Sequence, residues 1–461
     1  MIALQNVTFQ YADCEEGVRN IDLTIQDGEC VVLTGPSGGG KTTLTRLING
    51  LAPSYYPGTL TGSIKINSAE LTALPGWQIG REIGSVFQDP KSQFFSSELA
   101  GEVAFACENY GLTKADIRRR TDEAICSFGL DGLRYRSLDI LSSGEKQRVA
   151  IASVYALRPP VYVCDEPTAN LDSEGAAQLA DTLQKLKSEG STLIIAEHRL
   201  AWLSGIADRF VYISEGTIKW EKTAAEMCGL PQQERRLYGL REIEETDYST
   251  PESHGIGSGA SLSASALSCK RKQKTIFEGL ELSLCGGQIT ALTGKNGAGK
   301  TSLAMVLAGL WRQSSGEIRI NGKKLTAWKR RKAVWYSSND TGTQFFTNSV
   351  TDELLLRSDN SPERLERARG LLKQLGLYAY KDAHPASLSG GQKQRLSIAC
   401  GVLSERDVLI FDEPTSGLDG GNMGVIADML CAEAKNGKTI LVITHDRELM
   451  RRCCSCEIEL S

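Results

Sequence analysis

Short, unbroken apolar runs alternate with longer mixed stretches along this chain. VVLT, VYVC and TLIIA punctuate the first half, and ITALT, VLIF and TILVI punctuate the second. Apolar runs of this length, separated by helical stretches, predict parallel strands covered on both faces. In each half the order is strand, glycine-rich turn, helix, a longer helical stretch and then two more apolar strands. The pattern predicts an α/β unit built twice.

The two halves are copies. GPSGGGKTTL at 35–44 returns as GKNGAGKTSL at 294–303, LSSGEKQRVAIAS as LSGGQKQRLSIAC, and VYVCDEPTANLD as VLIFDEPTSGLD. Lys41 and Lys300 lie 259 positions apart, whereas Ser142 and Ser389, Asp165 and Asp412, and His198 and His445 each lie 247 apart. The difference implies one small deletion between the first two blocks. Between the copies the periodicity fades into acidic and small residues, rich in Pro, Ser and Gly after Asp247. That composition predicts a flexible linker over 226–262, with one domain at 1–225 and a second at 263–461.

Composition narrows the function. Lys and Arg total 52 against 56 Asp and Glu, a net charge of −4, so the basic excess of a nucleic-acid binder is missing. The 13 cysteines are scattered through apolar segments, which suits a reducing compartment. Cys453, Cys454 and Cys456 lack the spacing of a metal site and read as structural. No run approaches the roughly 18 apolar residues of a membrane span.

The repeated blocks carry phosphate chemistry. Gly35 followed by Gly40-Lys41-Thr42, and Gly294 followed by Gly299-Lys300-Thr301, satisfy GxxxxGK[ST] between a strand and a helix. Gly38 and Gly297 complete these loops, and Thr43 and Ser302 follow the hydroxyl residues. Loop amides and the helix N-terminus face phosphate oxygens, the lysine reaches the β and γ phosphates, and Thr42 and Thr301 ligate Mg²⁺. Asp165-Glu166 and Asp412-Glu413 each close an apolar strand. The aspartate is placed to hold the Mg²⁺ water shell and the glutamate to orient or deprotonate an attacking water. His198 and His445 stand at matching strand ends, where α/β sites form, and suit a γ-phosphate contact.

The segments LSSGE and LSGGQ open helices and present amides and a serine to a further phosphate face. With them the chain resembles the ATP-binding cassette family: Walker A, Q-loop, signature, Walker B, D-loop and switch histidine follow in order over essentially the whole chain. The resemblance implies two tandem nucleotide-binding domains, each with a RecA-like parallel sheet core, an antiparallel β subdomain and a helical subdomain, and ATP hydrolysis with Mg²⁺. It implies that the two cassettes pair head to tail within one chain. Lys41, Thr42, Asp165, Glu166 and His198 would then share a site with Ser389, Gly390 and Gly391, and Lys300, Thr301, Asp412, Glu413 and His445 would share one with Ser142 and Gly144. It further makes Gln88 the Q-loop residue near metal and γ-phosphate, and Tyr11 the adenine-stacking aromatic.

FQDPKSQFF, containing Gln88, Gln93, Phe94 and Phe95, looks like the Q-loop of energy-coupling factor transporter ATPases. That branch takes up vitamins or transition-metal ions with an integral membrane scaffold subunit and a substrate-binding membrane subunit. The resemblance places the chain on the cytoplasmic face of the plasma membrane as a peripheral subunit, with no nucleic-acid partner. An exposed Phe pair would suit a groove gripping a partner's helix, and fusion would fix the cassette pairing. The alternatives are a soluble twin-cassette ATPase acting on ribosomes or nucleic acid, or the ATPase of another transporter such as a fused sugar importer. The short Ser/Gly linker and near-neutral charge disfavour the first, and the intact Gly299-Lys300-Thr301 disfavours the second.

The copies also differ. Asn339 falls opposite Gln88, Tyr11 aligns near Cys269, and the first signature carries Ser143 and Glu145. By the head-to-tail resemblance all of these changes belong to the Lys300 site. Loss of a base-stacking aromatic, worth roughly 1–3 kcal/mol, predicts weaker ATP binding there and a stronger Lys41 site.

Overall fold

The computed structural model describes residues 1–13, 16–169, 171–243, 261–271, 274–340, 342, 344–356 and 361–460. Two compact units emerge, one over Met1–Glu245 and Asp419–Gly421 and one over Thr246–Leu418 and Asn422–Ser461.

The first unit has two sheets. A parallel sheet runs in the order Ile83–Val86, Val161–Asp165, Thr192–Ala196, Cys30–Thr34, Arg209–Ser214, and Thr217–Thr223 adds an antiparallel edge. Its middle strands Val161–Asp165, Thr192–Ala196 and Cys30–Thr34 are buried at every position, as their unbroken apolar runs require. The second sheet pairs Gly17–Ile25, Ile2–Tyr11, Gly58–Ile66 and Ala69–Glu70 antiparallel. Here burial largely alternates, and Leu4, Val7 and Phe9 face a core shared with Leu44, Leu47 and Ile48 of the helix Lys41–Ile48. Burying one such leucine is worth about 1.5–3 kcal/mol, so the phosphate-loop helix is anchored by its own apolar face. A second core lies on the other side of the parallel sheet. It joins the helices Leu99–Asn109, Lys114–Ser127 and Ser143–Leu157 to the sheet.

The second unit repeats this plan. Its parallel sheet runs Val334–Ser337, Val408–Asp412, Thr439–Ile443, Ile289–Thr293, Cys456–Glu459, and its antiparallel sheet pairs Lys274–Leu284, Leu262–Arg271, Ser315–Ile320 and Lys323–Lys324. The α/β fold with an antiparallel and a helical subdomain is therefore present in each unit.

Register corrects two sequence expectations. In the first strand Asn6 adopts φ 48° opposite Gly62 at φ 88°, where a Cβ would strike Asn6 O at 2.3 Å. Ala266 at φ 47° and Gly316 at φ 90° repeat this bulge, with a Cβ on Gly316 2.5 Å from Ala266 O. Asn6 and Ala266 are thus equivalent, 260 positions apart, and Cys269 corresponds to Phe9, not Tyr11. The strand position equivalent to Tyr11 is Arg271. The spacing then falls to 254 at Ile66 and Ile320, 251 at Glu102 and Glu353, and 247 from the signatures onward. The single deletion expected is therefore several shorter ones, and part of the loss falls where the 11-residue helix Leu99–Asn109 has the five-residue counterpart Val350–Leu354.

The linker also begins later than 226. Residues after that point complete the helix Ala224–Cys228 and form Gln232–Leu237, and Met227, Leu230, Leu240 and Ile243 are buried in the first unit's core. Their apolar side chains are too widely spaced to give a visible period. The stretch 244–260, which holds the Pro, Ser and Gly residues, lies outside the described residues.

Candidate active site

In the first unit the turn after Cys30–Thr34 holds Gly35, Gly38 and Gly40 at φ 139°, 78° and 109°. A Cβ on Gly35 would lie 2.1 Å from Ile213 O, so only glycine lets this loop pass the neighbouring strand. Lys41 starts the helix, and its Nζ donates to Gly35 O and Pro36 O at 2.9 Å each. Burial pulls the Lys41 ammonium below its usual range, and Glu166 opposes that shift. Thr42 hydrogen-bonds Asp165, whose carboxyl is raised by burial against that bond and the charge of Lys41.

Glu166 lies one residue beyond the strand in a left-handed conformation, φ 45°, fixed by its amide donating to Ala196 O at 2.8 Å. Strain of this kind in a non-glycine residue is held by its surroundings and marks functional positions. The Gln88 Nε2 donates to Glu166 Oε2 at 2.8 Å, and His198 Nε2 lies 3.5 Å from Glu166 Oε1. Burial raises the Glu166 carboxyl well above the ordinary range, and neighbouring Asp165 adds to it. Burial, with the charge of Lys41, depresses His198 well below its ordinary value, so its imidazole is neutral near pH 7.

Glu197 was missed by sequence reasoning. It is buried beside His198, accepts from the His198 and Arg199 amides at 2.8 and 3.1 Å, and takes the Thr168 hydroxyl at 2.6 Å. It is therefore a third carboxylate that fixes the histidine turn.

The second unit places Gly294, Gly297 and Gly299 at φ 134°, 86° and 99°. Lys300 Nζ donates to Gly294 O and Lys295 O at 2.5 and 3.0 Å. Thr301 Oγ1 donates to Asp412 Oδ2 at 2.8 Å, and Tyr336 adds a second donor to that oxygen at 3.2 Å. Glu413 repeats the left-handed turn at φ 50°, and its Oε2 accepts from Thr444 Oγ1 at 3.2 Å. Thr415, equivalent to Thr168, donates not to the residue before the histidine but to Asp446, the residue after His445, at 2.6 Å. The one visible signal for these anchors was an acidic residue next to each histidine, before His198 and after His445.

The signatures are helix N-termini. Ser142 caps Ser143–Leu157 in a capping box with Glu145, and Ser389 caps Gly390–Leu403 in one with Gln392. Either Glu or Gln closes this box, which explains locally why Glu145 replaces glutamine. Ser142, Ser389 and Gly390 are exposed, Gly391 is half-buried and Gly144 is buried. Tyr11 stands beside the first loop, its hydroxyl 3.3 Å from Thr43 Oγ1, and Ser302 is half-buried on the second loop's helix.

The expected exposed Phe pair splits. Phe94 packs on the helical core, whereas Phe95 is 75% exposed and stacks on Phe105. Gln93 points inward and bonds Phe87 N and Ala150 O at 3.2 Å each. Buried Glu102 accepts the Phe95 and Ser96 amides at 2.9 and 2.7 Å, a clamp repeated by Glu353 on Phe346 and Thr347.

Each site brings together one hydroxyl and one carboxylate that could hold a metal, Thr42 with Asp165 and Thr301 with Asp412. That is a hard-oxygen set of the small size Mg²⁺ takes when phosphates and water complete its shell.

A model of the ABC transporter family matches residues 18–169 and 277–416. A Treponema denticola protein named as an ABC transporter ATP-binding protein is 38% identical over 469 residues, covering 100% of this chain and 95% of that one. A Bacillus subtilis protein named for HMP/thiamine import, YkoD, is 32% identical, covering 98% of this chain and 88% of its own. Among solved structures, the RNase-L inhibitor aligns with a TM-score of 0.67 over 98% of this chain and 87% of its own, at 21% identity, a likeness of fold alone.

Proposed function

Because this chain belongs to the ABC transporter family of ATP hydrolases, with two cassettes in one polypeptide, we propose that it is the energy-coupling subunit of a membrane importer of the energy-coupling factor type. The observation that carries this reading is an aromatic groove beside the first site. A cavity of about 780 Å³ is lined by Tyr55, Trp77, Phe87, Gln93, Phe95 and Phe105. Tyr55, Trp77 and Phe95 are 74%, 64% and 75% exposed. Large exposed aromatics around a groove favour a helix inserted by a partner. Phe87 adjoins Gln88, so whatever fills the groove abuts the residue that holds Glu166. Trp328 and Phe346 of the second unit, 61% and 82% exposed, stand at the positions equivalent to Trp77 and Phe95. No helix among the described residues is long and apolar enough to cross a membrane. The partners we propose are an integral membrane scaffold and a substrate-binding membrane subunit, with this chain peripheral on the cytoplasmic face. The name of the relative YkoD supports import of a vitamin-sized cargo.

In the mechanism, loop amides and Lys41 or Lys300 bind the triphosphate, and the exposed Ser142 and Ser389 are available to phosphate at their helix N-termini. Thr42 with Asp165, and Thr301 with Asp412, would hold Mg²⁺, which neutralises phosphate charge when bound. Glu166, its proton affinity raised by burial, accepts a proton from the attacking water, while Gln88 orients its carboxylate. Neutral His198, held through Glu197, donates toward the γ-phosphate. Release of Gln88 from Glu166 then alters the groove floor, and binding energy reaches the partner as differential affinity for two states.

Purification of the full chain from detergent-solubilised membranes tests this reading. Recovery of two integral membrane proteins supports it, and recovery of ribosomes instead rejects it.

A further inference from the structure

In the first unit Tyr11 ends its strand beside the phosphate-loop helix, where Arg46 donates to its hydroxyl at 3.0 Å. The Arg46 guanidinium also lies over Tyr56, 3.9 Å from the ring centroid. The second unit has the exposed Arg271 at the position equivalent to Tyr11. The paired bulges at Asn6 and Ala266, followed by the pairs Thr8–Thr61 and Ser268–Ser315, fix that equivalence. Arg271 is not alone: its guanidinium lies over the Trp311 ring at 3.5 Å. Trp311 follows the helix Lys300–Leu307, its amide bonded to Met305 O at 3.0 Å and its ring packed on the antiparallel-sheet core. Each unit thus pairs an arginine with an aromatic, drawn from different positions. The first unit carries the aromatic on the strand and the arginine on the helix, and the second carries the arginine on the strand and the aromatic behind the helix.

A guanidinium seated on an indole is planar, delocalised and weakly hydrated, and its outer face is a flat surface. Nucleobases stack on arginine planes as they do on aromatic rings. We propose that Arg271, backed by Trp311, is the base platform of the second nucleotide site, a purine-stacking surface that replaces the tyrosine of the first. The hairpin bearing Arg271 adjoins the Lys300 loop, since a Cβ on Gly299 would meet Ile276 Cγ2 at 2.8 Å. In the first unit a Cβ on Gly40 would likewise meet Val18 Cγ1, at 2.9 Å. Both hairpin ends therefore sit at the margin of their loop, where the base of a bound nucleotide would lie. The inference rests on the reading of the Lys300 loop as a nucleoside triphosphate site, and it removes the absence of a strand aromatic as a reason for weak binding there.

Calorimetric titration of the full chain carrying Lys41→Ala, with ATP and separately with inorganic tripolyphosphate, tests the platform. Adding Arg271→Ala is expected to weaken ATP by about tenfold and to leave tripolyphosphate unchanged. Arg271→Tyr restores ATP affinity, whereas Arg271→Lys, which keeps the charge and loses the plane, does not. Unchanged ATP affinity in Arg271→Ala, or an equal loss for both ligands, overturns the platform. Failure of the Lys41→Ala chain itself to bind tripolyphosphate overturns the reading of the Lys300 loop, a separate result.

Discussion

Gln88 and Glu166 are joined by a 2.8 Å hydrogen bond from the amide Nε2 to the carboxylate Oε2. His198 stands at the other carboxylate oxygen, so Glu166 is oriented from two sides. In the second unit Glu413 takes a hydroxyl from Thr444 at 3.2 Å, and Asn339 stands where Gln88 does. A shorter amide gives less reach, and the two glutamates are held by different partners.

The difference predicts unequal catalysis. In the assembled complex Glu166→Gln lowers the steady-state ATPase rate by about a hundredfold or more, the usual contribution of a general base, and Glu413→Gln lowers it by a smaller factor. Equal losses contradict the asymmetry.

Gln88→Ala removes an orienting bond without touching the loop that binds phosphate. The expected outcome is kcat reduced by about tenfold with KM for ATP little changed, the pattern of a contact made mainly in the transition state. A rise in KM with kcat intact would assign Gln88 to ground-state binding.

Burial and Asp165 hold the Glu166 proton more tightly in the folded chain than in the unfolded one. Such a raised carboxyl favours folding at low pH, and that contribution is lost as pH rises through the interval between the unfolded and folded values. Glu166→Gln should therefore melt higher than the native chain at pH 8, with the gap narrowing toward pH 4, as read by differential scanning calorimetry. A gap that is constant with pH, or of opposite sign, contradicts the assigned shift.

Glu102 and Glu353 each accept two loop amides through one buried oxygen. Replacing Glu102 with Ala leaves those donors without their acceptor, at a cost of about 1–3 kcal/mol. The melting temperature, read by differential scanning calorimetry, should fall by about 2–4 °C for each kcal/mol.

Much of this architecture was legible in the sequence because its signals are local. Unbroken apolar runs mark doubly covered strands, and the GxxxxGK[ST] spacing marks a turn that only glycines can make. What escaped depended on register and on contacts distant in sequence. Glu197 and Asp446 anchor their histidine turns from opposite sides, so the duplicated sequence shows no shared residue there. Arg271 was hidden because the first strands are spaced 260 positions apart and the phosphate loops 259, a one-residue difference in the chain between them that only the paired bulges reveal. Phe94 and Phe95 read as a pair, yet successive side chains of an extended segment point to opposite sides, and one entered the core while the other faced out.

The most direct test of membrane coupling replaces Phe95 in the full chain with a photo-crosslinking phenylalanine analogue and irradiates native membranes with and without ATP. The account predicts a crosslink to an integral membrane protein whose yield changes when ATP is added. A crosslink to ribosomal protein, or a membrane crosslink indifferent to ATP, would contradict it.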